Sequence, residues 1–137
     1  MRRRPRTILA ALLAGSALSL AVAAGAPAAS RTYADDCNHL RYRPAGLTLS
    51  CSDGVDRLLR MRWSRWTAGS AYGSGRAQYN TCDPSCGLGG TRAYVVRVFL
   101  GAPIHCGRWT MFSYARIRFV GERPRGSSGL AVWRFAC

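Results

Sequence analysis

The chain has 137 residues and carries a formal charge of +14, with twenty basic residues set against six acidic ones. Two histidines, one glutamate and five aspartates are a thin supply of acids and bases, which argues against a hydrolase. Every basic residue is arginine: part of that excess reads as GC-rich codon usage on a solvated surface, and part invites a polyanionic partner, whether nucleic acid, an anionic envelope polymer or a membrane surface.

Met1 to Arg6 holds four arginines, and an uncharged apolar run from Thr7 to about Ala24 follows. A charged start, an apolar run and a close of small residues make an export signal. Ala26-Pro27-Ala28 fits the small-x-small pattern, so cleavage is expected after Ala28, with Val22 to Ala24 as a second site. The residues after Arg2-Arg3 do not follow the twin-arginine pattern, so Sec export is the default. The expected division is a signal peptide over 1–28, an extended N-terminal arm over 29–46 and a β-domain over 47–137. Removing the four leader arginines lowers the formal charge from +14 to +10 and leaves a secreted or envelope-associated product with no stable membrane span.

Leu47 to Cys51 alternates apolar with polar residues as a half-buried strand does, and Ser52-Asp53-Gly54 turns the chain. In the next segment the alternation puts Leu59, Met61 and Trp63 on one face, with Arg60 and Arg62 on the other. Ser70 to Tyr79 places Ala71, Gly73, Gly75, Ala77 and Tyr79 on one face, where small residues let a large ring such as Trp63 or Trp66 lie across the backbone. Thr91 to Leu100 is the most strand-like run: Tyr94, Val96, Val98 and Leu100 face one way, Val95, Arg97 and Phe99 the other. Gly101-Ala102-Pro103 is read as its end. Further strands are expected over Trp109 to Val120 and Leu130 to Cys137. Six or seven strands without a helical period predict an all-β fold, a small antiparallel sandwich or barrel.

All six cysteines lie beyond the leader, and an even count in an exported chain favours disulfides. Fifteen pairings are possible, and the sequence does not choose among them. Spacing favours Cys37 with Cys51, Cys82 with Cys86, and Cys106 with Cys137. Zinc held by Cys82, Cys86, His105 and Cys106 is the rival, disfavoured because oxidation removes the thiolates. Neither a metal nor a cofactor is expected.

No catalytic residue is assigned. Glu122, Arg108 and His105 supply the residue types of a small basic ribonuclease, but their spacing matches no such pattern. Asp53 and Asp83 sit beside glycine or proline and read as turn caps. A Gly-x-Ser-x-Gly elbow is absent, and Gly87-Leu88-Gly89-Gly90 lacks the lysine and helix of a phosphate loop. Trp63, Trp109 and Trp133 read as core; Trp66 is the expected exposed exception, because Ser64 and Arg65 offset it from the Trp63 face. Arg60, Arg62, Arg116 and Arg118, on outward strand faces, are the candidate polyanion contacts.

Leu47 to Gly54, Leu59 with Trp63 and Trp66, Ala71 with Gly73 and Gly75, Asn80 to Cys86 and the Tyr94 to Leu100 strand together make the chain resemble a family of small exported actinobacterial proteins of uncharacterised function. That resemblance covers about Leu47 to Val120 and implies export and a compact β-rich domain. Ser113-Tyr114-Ala115-Arg116 and Ser127 to Phe135 are also similar to the last third of secreted bacterial subtilisin inhibitors. The first expectation is therefore a non-enzymatic exported binding module. The second is an inhibitor of an extracellular protease that presents Asp83-Pro84-Ser85 or Gly87 to Gly90, and the third a small nuclease.

Overall fold

The computed structural model describes residues 31–137; the expected signal peptide, 1–28, and the first two residues of the arm lie outside the described residues. In chain order the strands are β1 (Thr32–Asp35), β2 (Leu40–Arg41), β3 (Leu47–Thr48), β4 (Arg57–Trp66), β5 (Ala71–Asn80), β6 (Thr91–Cys106), β7 (Trp109–Phe119) and β8 (Leu130–Arg134). Among the described residues there is no helix. The fold is all-β, a single curled sheet in the order β2-β1-β7-β6-β5-β4-β3 that forms a half-barrel, with β8 also on β7.

Its centre is the antiparallel run β4 to β7, each strand long and hydrogen-bonded to the next. β6 and β7 meet at Gly107-Arg108, a two-residue turn between paired Cys106 and Trp109. Gly107 has φ +60, the left-handed backbone that such a tight hairpin requires at its first central residue. Along its other edge β7 takes two partners, β8 over Tyr114 to Arg118 and β1 at Thr110 and Met111. The β1 pairing is parallel, so the sheet is mixed where an antiparallel one was expected.

The arm does more than hang beside the domain. Its segment supplies β1 and β2, which close the curl: the Cys37–Cys51 disulfide and a 2.8 Å bond from the Thr48 amide to Asp36 join this edge of the sheet to β3 at the other. Trp63 Nε1 donates to the Pro44 carbonyl at 2.7 Å, and Arg43 donates back to the Trp63 carbonyl at 2.7 Å. Four residues are too short to display a period, which is why Thr32 and Ala34, both buried, were not readable as a strand.

The concave side is the core. Leu58, Met61, Trp63, Val96, Val98, Leu100, Phe112, Ala115 and Ile117 fill it, as the alternation of β6 and β7 predicts. β5 contributes small residues. A Cβ on Gly73 would fall 2.6 Å from Trp63 Cε3 and 2.9 Å from the Arg62 carbonyl oxygen, so the indole does lie across bare backbone. Gly75 makes the same room for the Met61 sulfur.

β4 corrects the simple alternation. Its register against β5 slips between Leu59 and Arg62 and again between Trp63 and Arg65. Each slip adds one residue and reverses which parity points inward. Leu58, not Leu59, therefore shares the inner face with Met61 and Trp63, and Arg60 sits in the first bulge with φ +51. The second bulge turns Trp66 inward as well. Trp66 is half-buried against the core, 4.9 Å from Trp63 and 5.4 Å from Phe112 between ring centres, and its Nε1 donates to the Thr32 carbonyl at 2.8 Å. The expectation that Trp66 is the exposed tryptophan is thus overturned: Trp109 is, at the start of β7, with Arg108 stacked over it at 5.0 Å. β6 also continues through Gly101-Ala102-Pro103 to Cys106, because β7 pairs with it over its whole second half.

Candidate functional site

The convex side of the sheet carries the remaining side chains of β4 to β8, and none of the described residues covers it. Those five strands contain ten arginines and no aspartate or glutamate. The acidic residues instead sit on β1, in loops and in turns. Cross-strand register orders the convex side chains into rows. One runs Arg62, Ser74, Arg97, Arg118, Leu130, and the next runs Tyr72, Phe99, Arg116, Val132. Residues two apart along a strand put these rows about 7 Å from each other.

Arg97 and Arg118 are direct partners in the β6–β7 ladder. Like charges directly opposite each other destabilise a sheet, and here nothing nearby offsets them: among the described residues the ion pairs are Arg41 with Asp36 and Arg92 with Glu122, both at the periphery. Arg62, Arg97, Arg116 and Arg118 are all exposed and make no side-chain hydrogen bond to described residues. Beside them the Tyr72 and Phe99 rings lie 4.8 Å apart, Tyr72 being 44% exposed, and the Arg116 guanidinium stands 5.9 Å from the centre of the Phe99 ring. Together with Gly129 and Leu130, the two rings and Arg97, Arg116 and Arg118 line a shallow groove of about 490 Å³.

Of the four arginines expected to contact a polyanion, Arg62, Arg116 and Arg118 share this face. Arg60 is exposed but occupies the bulge, outside the rows. Arg97, Tyr72 and Phe99 were missed as site residues although their signal was present. Arg97 and Phe99 alternate outward in the clearest strand of the chain, and Tyr72 has the opposite parity to Ala71 and Gly73.

The other candidates are dispersed. His105 lies near the hairpin end of β6, with Nδ1 3.1 Å from the Thr110 hydroxyl, whereas Glu122 follows the far end of β7 and pairs with Arg92 at 2.9 Å. An eleven-residue strand separates them, roughly 35 Å of extended chain, so they do not converge on one phosphodiester. Asp53 is a turn cap: the Val55 amide and the Ser50 hydroxyl donate to its carboxylate and hold its pKa below the usual value.

Cys37–Cys51, Cys82–Cys86 and Cys106–Cys137 are all bonded, which leaves no free thiol. Cys82–Cys86 closes the exposed loop after β5, which includes the cis Asp83-Pro84 bond. Asn80 spans its base, donating to the Cys86 carbonyl and accepting from the Cys82 amide. Across from it, Arg92, Tyr94, Arg123 and Arg125 line a second, polar cavity of about 630 Å³.

No family model matches the chain, and no curated protein or solved structure is significantly similar to it.

Proposed function

We propose that this protein is an exported, non-enzymatic binding module that holds a linear polyanion across the convex face of its sheet. The observation that carries this reading is the Arg97–Arg118 pair, two guanidinium groups placed directly opposite one another with no carboxylate on their face. A phosphate or other oxyanion between them removes that repulsion and accepts paired N–H bonds from each planar guanidinium. Export rests on the leader; three disulfides, which persist in oxidising compartments, support it. Among the described residues no helix is long and apolar enough to cross a membrane.

The test is binding of inorganic polyphosphate, titrated between about 50 and 200 mM salt. Affinity should fall steeply across that range, with a log–log slope near −0.7 for each charge neutralised. Arg97→Ala with Arg118→Ala should weaken binding and flatten the slope by roughly 1 to 2. Salt-independent binding, or a double variant that binds as the parent does, refutes the reading.

A second reading, inhibition of an extracellular protease, has one observation in its favour. The loop braced by Cys82–Cys86 and Asn80 is exposed throughout 81–88 and displays Leu88 with 79% of its surface in solvent, a rigid loop with an apolar anchor of the kind partner pockets accept. Subtilisin-like and trypsin-like proteases left fully active by a micromolar excess of the domain remove this alternative.

A further inference from the structure

The convex face holds more than charge, and its second component identifies the polyanion. Tyr72, Phe99 and Arg116 form one cross-strand row, and Ser74, Arg97 and Arg118 form the row beside it. A polymer of bare phosphate needs only the second row. The first places two aromatic rings, 4.8 Å apart and in contact with solvent at Tyr72, directly beside Arg97, Arg116 and Arg118. Exposed rings in such a place lose hydrophobic stabilisation unless a flat partner covers them.

Given the polyanion reading on which this inference rests, we infer that the ligand is single-stranded nucleic acid, with unpaired bases stacked on Tyr72 and Phe99 and the backbone phosphates held by Arg97 and Arg118. Stacking rings next to a basic track are what sequence-tolerant single-strand binding requires, since every base has a π-face and every nucleotide a phosphate. The separation of about 7 Å between the two rows is comparable to the reach from a base to its own phosphate. Arg116 adds a planar cation at the end of the aromatic row, 5.9 Å from the Phe99 ring, positioned to extend the stacking surface. The groove is shallow and its rings form the floor, so a duplex, whose bases are already stacked on one another, offers the floor nothing. An acidic polysaccharide engages the arginines but has no π-faced ring for the aromatic row.

The experiment compares four probes of matched charge on the exported chain: an oligodeoxythymidine of about 12 nucleotides, an abasic deoxyribose phosphate of the same length, inorganic polyphosphate, and a duplex. The oligonucleotide should bind at least about five-fold more tightly than its abasic counterpart, the lower end of what one stacked base contributes. Tyr72→Ala should abolish that preference while leaving polyphosphate affinity within about two-fold, because Tyr72 carries no charge. Tyr72→Trp should retain the preference and show indole fluorescence quenched by the oligonucleotide but not by the abasic polymer. Equal affinity for the oligonucleotide and the abasic polymer overturns the inference while the polyanion reading stands. Preference for the duplex, or for a sulfated or uronic polysaccharide, overturns it equally. Failure to bind any of the polyanions brings down both.

Discussion

The two faces of the β4–β7 sheet are built from the same strands, residue by residue in alternation, yet they obey different rules. On the concave face each side chain is fitted to a neighbour: the Trp63 indole lies against Gly73, the Met61 sulfur against Gly75, and Trp66 is held by its N–H on the Thr32 carbonyl. On the convex face Arg62, Arg97 and Arg118 have no hydrogen-bond partner among the described residues, and two of them oppose each other. One face is determined by shape and is intolerant of change. The other is determined by charge and has room for a partner. The comparison teaches that the arginine excess is not evenly spread solubility, because the strands that carry it contain no carboxylate.

The largest effect should come from the concave face. Phe112 is fully buried beneath Trp66, and Phe112→Ala should lower stability by about 3–5 kcal/mol, read as a shift in denaturation midpoint without new binding behaviour. Next comes Gly73→Ala. The added methyl meets both the indole and the rigid Arg62 carbonyl, and a loss of about 1–3 kcal/mol is expected. A Gly73→Ala protein as stable as the parent would show that the indole does not depend on bare backbone.

A gain is expected at Tyr79. Its hydroxyl is buried toward the Trp133 indole without a hydrogen bond of good geometry, and burial pushes its pKa up. Tyr79→Phe removes that unpaired group and should raise stability by up to about 1 kcal/mol, measurable by chemical denaturation.

The convex face should behave in the opposite way. Arg97→Ala with Arg118→Ala should change stability by no more than about 0.5 kcal/mol, and in the stabilising direction if repulsion dominates, while polyanion affinity falls. A large loss of stability there would erase the distinction between the faces.

The smallest effect concerns pH. Asp56, at the entry to β4, has its pKa raised chiefly by desolvation. The folded state therefore holds this proton more tightly than the unfolded chain, so the penalty is absent below the unfolded value, near 4, and complete once pH passes the raised folded value. Asp56→Asn should stabilise by no more than about 0.5 kcal/mol at neutral pH, with the difference vanishing in acid. A difference that grows on acidification reverses the sign and refutes the account.

Much of this molecule was legible in its residues. Tyr94 to Leu100 alternates so regularly that both faces of β6 were assigned before any strand was paired, and the small residues of β5 predicted the close approach of Trp63. The three disulfides join the pairs that spacing favoured, but the sequence alone left fifteen pairings open and the fold chose among them. Trp66 was misread because the bulges of β4 leave no mark in composition: an extra residue is accommodated only when a partner such as Gly75 can accept it. β6 runs past Gly101-Ala102-Pro103 for a related reason, since pairing with β7 outweighs local turn propensity.

By itself, then, the sequence determined what is local and periodic: an all-β domain, which residues of the most regular strands face inward, and an overall excess of arginine. Tertiary structure alone decided which strands are neighbours, that β1 joins β7 in parallel, and that Arg97 stands opposite Arg118 beside Tyr72 and Phe99. The physical reason is that alternation specifies a face but not a partner. Register is set between strands far apart in the chain, and it is register that turns scattered arginines and rings into a surface.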